Sequence, residues 1–236
     1  MTTNTLGKFV NTEAKYSPKF VNDIIFPNDE VRNVVTAYAS GEVTRPLILC
    51  GRNGTGKSLI ARLIPKAIEN MDEVSIYEIR AHKLSSDSEV EELFARDKVF
   101  DSLFTVNGQR FSYYIIDEMN SCIKGRNSFR IALDKYRGTD ITIITTNEIT
   151  QIDKGIRSRC EVLEVPACTP EVFFPHAKRI MEAESVEISD GALLAALEAS
   201  YELAADNRGY YKTLDGLFRE FYLSEVARQQ MQAVLA

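Results

Sequence analysis

Eight consecutive residues, Gly51-Arg52-Asn53-Gly54-Thr55-Gly56-Lys57-Ser58, decide more about this chain than any others. They spell G-x-x-x-x-G-K-S between an apolar stretch, Pro46 to Cys50, and the helix-forming SLIARLIPKAIE. Strand, glycine-rich loop and helix in that order let backbone N–H groups curl round a phosphate chain at a helix N-terminus. Lys57 supplies a point charge to the outer phosphates, and Ser58 offers a hydroxyl to magnesium. The nucleotide-binding candidates in this stretch are Gly51, Asn53, Gly54, Thr55, Gly56, Lys57, Ser58 and Leu59.

The rest of the chain supplies the fold such a loop needs. Apolar or β-rich stretches recur at Pro46 to Cys50, Val74 to Ile79, Phe111 to Ile116, Ile141 to Thr146 and Val162 to Val165, with helix-length segments between most of them. Near-continuous apolar strands alternating with helices imply an α/β fold, a five-stranded parallel sheet flanked by helices. Upstream, Asn28 is a helix cap, Asp29 and Glu30 suit the positive helix start, and Val31, Val34, Val35 and Tyr38 share one face. After Pro166 no further strand is expected. Thr169-Pro170-Glu171 and Ser189-Asp190 read as helix starts, and periodic apolar residues continue to the end, so 166–236 is expected to be a small all-helical lid domain. Residues 1–14 are polar and read as a flexible tail, leaving 15–165 as the α/β nucleotide-binding core.

A phosphate loop alone does not separate kinases, GTPases and ATPases, so the second acidic element matters. FSYYIIDEMN ends an apolar strand in Asp117 and Glu118. With Ser58, Asp117 can hold the magnesium shell, and Glu118 can orient and deprotonate an attacking water. The bland alternative is a strand that happens to end in two acids. No N-K-x-D string of the guanine-binding kind is present, which favours ATP.

Composition excludes other classes. Lys and Arg total 28 against 34 Asp and Glu, a net charge of −6, so there is no global basic footprint for nucleic acid. Cys50, Cys122, Cys160 and Cys168 lack C-x-x-C spacing, and the only histidines are His82 and His176. That pattern suits buried thiols in a reducing compartment better than a metal site. The start has no apolar signal core, and no run approaches the roughly 18 apolar residues that span a bilayer. A cytoplasmic protein without membrane contact is expected.

In order from Lys15 to Leu214, these residues resemble the AAA+ ATPases, and within them the clamp-loader clade typified by replication factor C small subunits. Lys15-Tyr16-Ser17-Pro18-Lys19, with Val21, Asp23 and Ile24, is similar to the clade's K-Y-R-P opening. The resemblance implies that Tyr16, Pro18 and Ile24 help cradle adenine. ITIITTNE resembles the sensor 1 strand and puts Asn147 at its end. Ser158-Arg159-Cys160 matches the clade's S-R-C triplet, which implies that Arg159 reaches a neighbouring subunit's ATP as an arginine finger. Ala205-Asp206-Asn207-Arg208 resembles the sensor 2 motif with Ala in place of Gly, and implies that Arg208 closes the lid on the γ-phosphate. The catalytic set is then Lys57, Asp117, Glu118, Asn147 and, in trans, Arg159, with ATP and Mg2+ as cofactors and Ser58 and Asp117 as metal ligands.

Departures from the family also inform. The clade continues into a collar domain that the resemblance does not cover, so assembly is expected to rest on ATP-bridged AAA+ faces or on another subunit. The segment SSDSEVEELFARD gathers Asp87, Glu89, Glu91 and Glu92 where the family is polar to basic, and such charges repel phosphate. Arg80 stands where the family usually has an Asn that restrains the catalytic Glu. Lys124, Arg126, Arg130, Lys135 and Arg137 form a basic stretch, readable as a nucleic-acid contact or as a solvated face or subunit contact. Three functions follow: an oligomeric ATP-driven switch that assembles on or remodels a DNA or DNA-bound protein complex, an ATPase regulating a protein complex without DNA, and a structural ATP-binding subunit of a hetero-oligomer.

Overall fold

The structure is a computed structural model that describes residues 11–103, 108–120 and 123–235. Cys122 and the tail as far as Val10 lie outside these residues. Five strands, β1 (Leu47–Cys50), β2 (Ile76–Arg80), β3 (Ser112–Asp117), β4 (Asp140–Thr146) and β5 (Glu161–Glu164), form one sheet in the spatial order β2-β3-β4-β1-β5. Every pairing is parallel, with Leu47 opposite both Ile143 and Glu161, and Ile115 opposite Ile143.

Alternation along each strand feeds two cores, one on each face of the sheet. Leu47, Leu49, Tyr113, Ile115, Ile141 and Ile143 pack against α2 (Asp29–Ala39) and α3 (Lys57–Glu69) through Val31, Val35, Tyr38, Ile60 and Ile64. Their neighbours Ile48, Cys50, Tyr114, Ile116 and Ile144 pack against α4 (Asp87–Leu103) and α5 (Arg126–Lys135), where Phe94 lies 4.5 Å from the Tyr114 ring. Each fully buried Leu, Ile or Phe contributes roughly 1.5–3 kcal/mol, which is why these strands read as almost continuously apolar. The N-terminus of α2 is set by Asn28, whose Oδ1 accepts from the Val31 amide at 2.9 Å.

The chain divides into two compact units, Pro18–Pro166 and a helical unit made of residues 11–17 with 167–235. The second holds α7 (Pro170–Ala183), α8 (Asp190–Ala204) and α9 (Asn207–Leu235), preceded in the chain by α6 (Lys154–Arg157) of the sheet unit. Thr169 and Ser189 cap α7 and α8 by accepting from the amides of Val172 and Ala192. Phe173 stacks on Tyr210 at 4.5 Å, and Leu193, Leu197 and Leu214 complete the core of this unit.

One expectation is corrected here. Residues 12–14, taken as the end of a tail, and Lys15 and Tyr16, taken as the start of the sheet domain, together form α1 (Thr12–Tyr16) of the helical unit. Thr12 is fully buried; its amide donates to Asp215 and its hydroxyl to the Tyr211 carbonyl, both at 3.0 Å. A polar five-residue helix has no apolar period to betray it, and its partners lie some two hundred residues away in the chain. Among the described residues no helix is long and apolar enough to cross a membrane, and no cluster of His, Cys, Asp and Glu could hold a metal ion.

Candidate functional site

The order β3-β4-β1 brings the carboxyl ends of three strands side by side, the edge at which open α/β sheets bind ligands. β1 runs directly into the loop at 51–56. Gly51 has φ +149°, and a Cβ there would stand 2.3 Å from the Val165 carbonyl oxygen, so only glycine fits. At the start of α3, Gly56 takes φ +94° and no side chain caps the helix, which leaves its first amides for an anion. Lys57 is almost buried; its ammonium donates to the carbonyls of Gly51 at 2.8 Å and Arg52 at 2.6 Å. Thr55 donates its hydroxyl to the Arg52 carbonyl, and Asn53 is exposed at the loop tip.

The acids arrive from β3. Asp117 is its last residue, and its Oδ1 accepts from the Ser58 hydroxyl at 2.9 Å and from the Thr145 hydroxyl at 2.5 Å. A hydroxyl and a carboxylate in contact at the first turn of α3 form the hard oxygen donor set that Mg2+ prefers, so the residues present fit that ion. Glu118 follows in the left-handed region, φ +57°, with its amide donating to Thr145 Oγ1 at 3.1 Å. Its side chain is half-exposed and pairs loosely with Arg80, Nε to Oε2 3.9 Å. The residue that departs from the family pattern therefore does face Glu118, as an ion pair rather than an amide contact.

Asn147 follows β4 directly and is exposed. Its amide donates at 2.7 Å to Asn120 Oδ1, which also accepts from the Thr146 hydroxyl at 3.3 Å. Asn120 and Thr145 thus shape the site although neither stood out in the sequence. The only signal was a pair of hydroxyls closing an otherwise isoleucine-rich strand.

Arg159 donates to Asp134 of α5 at 2.8 Å and to the Gly155 carbonyl at 2.7 Å. Arg45 holds the turn before it by donating to the carbonyls of Ser158 and Arg159. In the helical unit Arg208 pairs with Glu13 at 3.5 Å, and the Tyr16 hydroxyl donates to Glu184 at 2.5 Å. Burial and that carboxylate raise the Tyr16 pKa. Pro18 and Ile24 belong to the sheet unit, where Ile24 packs on the core beneath α2 and α3, so the three adenine candidates are divided between the units.

The charged segments have structural employment. Asp87 and Glu91, one helical turn apart on α4, accept from the amide and the hydroxyl of Ser128 in the first turn of α5. Glu89 accepts from Ser85 and Ser86 at the start of its own helix, which lowers its pKa. In the basic stretch, Arg130 is committed to Asp153, with Nε 2.9 Å from Oδ1.

Comparison with known proteins adds a family to this geometry. Residues 47–166 match the family described as ATPase family associated with various cellular activities (AAA). Replication factor C subunit 5 of Homo sapiens is 24% identical over 189 residues, which cover 79% of this chain and 54% of that protein. DNA polymerase III subunit gamma of Buchnera aphidicola is 25% identical over 199 residues, covering 76% and 54%. The chain spans about half the length of these relatives. The solved Thermotoga maritima RuvB Holliday junction branch migration motor superposes with a TM-score of 0.56 at 17% identity, covering 84% of this chain and 72% of that one, a likeness of fold.

Proposed function

Because the chain belongs to the AAA family of ATPases, we propose that it is a clamp-loader-like switch that uses ATP to assemble on or remodel a DNA or DNA-bound protein complex. One observation carries the reading: at the shared edge of three neighbouring strands, Asp117 meets the first-turn hydroxyl of the phosphate-loop helix, and Glu118 follows it directly. In this reading the loop from Gly51 to Gly56 and the Leu59 turn receive the phosphates, and Lys57 exchanges its loop carbonyls for phosphate oxygens. Ser58 and Asp117 hold Mg2+, which when bound neutralises phosphate charge. Glu118 orients the attacking water and takes its proton, and Asn147 hydrogen-bonds that water or the γ-phosphate. Tyr16, Pro18 and Ile24 receive adenine, and Arg208 reaches the γ-phosphate from the lid.

The partner is another AAA+ subunit, identical or related, whose nucleotide Arg159 would reach in trans and whose transition state it would stabilise. The names of the sequence relatives, a replication factor subunit and a DNA polymerase subunit, support a replication complex as the thing acted on. We assign the protein to the cytoplasm, where the buried thiols of Cys50, Cys160 and Cys168 stay reduced. The acidic segment from Asp87 to Glu92, which lies on α4, favours a second reading, in which a protein rather than a DNA backbone is gripped.

The test is steady-state ATPase rate with and without single-stranded, duplex and primer-template DNA, with light scattering in a non-hydrolysable ATP analogue. Stimulation by DNA together with ATP-dependent assembly supports the switch on DNA, whereas assembly without stimulation supports the protein partner. Glu118→Gln is expected to trap ATP and lock the assembled state; unchanged turnover and unchanged oligomer size would refute both readings. Arg159→Ala is expected to abolish turnover while the isolated subunit still binds ATP.

A further inference from the structure

We propose that Thr145 is a positioning residue of the hydrolytic site, holding both acids in place through one hydroxyl. It is the next-to-last residue of β4 and is buried. Its Oγ1 donates to Asp117 Oδ1 at 2.5 Å and accepts the Glu118 amide at 3.1 Å, and its carbonyl accepts the Met119 amide at 2.8 Å. Three contacts from one residue therefore fall on three consecutive residues, at the point where the chain leaves β3.

The conformation of Glu118 explains why a hydroxyl is needed. A non-glycine residue at φ +57° is held away from its preferred backbone region. Its N–H also points out of the strand ladder and requires an acceptor. Asp117, one residue earlier, requires a donor to fix its carboxylate. Only a hydroxyl can accept from one and donate to the other with a single atom, and the branched Cβ of threonine restricts the rotamer that aims it. Ser58 donates to the same Oδ1 at 2.9 Å, so the two hydroxyls together orient the Asp117 carboxylate. The backbone turn that Thr145 secures sets the direction in which the Glu118 side chain leaves the sheet.

The inference rests on the reading of Asp117 and Glu118 as the hydrolytic pair, so the experiment carries Glu118→Gln alongside Thr145→Val, which is nearly isosteric, and Thr145→Ser, which restores the hydroxyl. Four quantities are measured on the full chain: kcat, KM for ATP, equilibrium binding of a fluorescent ATP analogue with and without Mg2+, and the melting temperature. Thr145→Val is expected to lower kcat by roughly 10- to 100-fold and to raise the Mg2+ concentration for half-maximal analogue binding by about 10-fold, as loss of a group supporting a metal ligand does. Magnesium-free binding of the analogue stays within about twofold of the parent, since the loop amides and Lys57 are untouched. Thr145→Ser keeps near-parental values throughout.

A Thr145→Val protein with parental kcat and Mg2+ midpoint overturns the inference. So does a Thr145→Ser protein as impaired as Thr145→Val, because the methyl packing would then be the cause. Should Thr145→Val fail to fold, Thr145→Ala, which only removes atoms, carries the same comparison. Full turnover by Glu118→Gln brings down the hydrolytic reading and this inference with it, whereas an inactive Glu118→Gln beside an unaffected Thr145→Val brings down the inference alone.

Discussion

Replacing Asp153 with alanine removes two interactions that meet on one atom. Asp153 Oδ1 accepts from the amides of Gly155 at 2.7 Å and Ile156 at 3.3 Å, capping α6, and from Arg130 Nε at 2.9 Å and Nη2 at 2.5 Å. Gly155 makes the approach possible, since a Cβ there would lie 2.5 Å from Arg130 Nε. Losing a helix cap costs about 1 kcal/mol. Breaking a fully buried ion pair costs roughly 3–5 kcal/mol, but the Arg130 side chain is 31% exposed against 17% for Asp153, so water recovers part of it and about 1–2 kcal/mol is expected. The loss is about 2–3 kcal/mol, and in domains of about 150–250 residues it lowers Tm by roughly 5–10 °C.

The assay is thermal and urea unfolding followed by circular dichroism near neutral pH. Asp153→Asn keeps the cap and loses the charge, so about half of the effect is expected. A double-mutant cycle with Arg130→Met isolates a coupling of about 1–2 kcal/mol. Burial works to raise the Asp153 pKa, but Arg130 and the two amides outweigh it and hold the group below its ordinary value. The contribution is therefore present above the ordinary carboxylate range and lost as pH falls through the depressed folded value, so parent and Asp153→Asn converge in acid. Alanine and parent melting within about 1 °C of each other would refute the reasoning, because no cap or pair would then be stabilising α6.

Three further outcomes are expected. Gly51→Ala places a methyl 2.3 Å from the Val165 carbonyl at φ +149°, so a cost of about 2–4 kcal/mol and loss of ATP-analogue binding should appear in melting and titration; an unaltered variant would mean that the loop takes another path. Burial, with Arg179 adding to it, pushes His176 from its ordinary 6.5 down to about 4. The native state thus favours the neutral ring, and stability that is complete above 6.5 is lost as pH falls towards 4. From pH 7.5 to 5 the helical unit is expected to lose roughly 1–2 kcal/mol after allowance for partial exposure; His176→Gln should flatten that profile, and parallel profiles would exclude the histidine as its source. Burial also pushes Cys160 up to about 12 and Cys168 up to about 11, and raises Cys50. In a Cys122→Ser variant these three thiols should react with an aromatic disulfide only as fast as the protein opens, and a fast native reaction would contradict their burial.

The parts of the site that could be read in advance are local. A strand, a glycine loop and a helix stand consecutively around Gly51 to Ser58, and the caps Asn28, Thr169 and Ser189 each act on an amide three residues ahead. Charged residues were read less well, because their partners are remote. Asp87 and Glu91, read as charges that repel phosphate, also accept from Ser128, and Arg130, read as part of a stretch open either to nucleic acid or to a solvated face or subunit contact, is bound to Asp153. Thr12 shows the same limit: nothing near it in the chain hints at the Tyr211 carbonyl.

What the sequence determined alone is the type of machine: a phosphate loop, two acids at a strand end, five apolar strands and a helical finish. Each of these is written in neighbours a few residues apart, where backbone geometry and side-chain period act directly. Tertiary structure decided the strand order, which sets β4 between β3 and β1. That placement lets Thr145 touch both acids and lets Asn120 hold the turn at Asn147. A hydroxyl of Thr145 and a carboxylate of Asp117, which stand 28 positions apart in the chain, meet only when the sheet has chosen its neighbours. That choice is made by the burial of whole strand faces and not by any local signal.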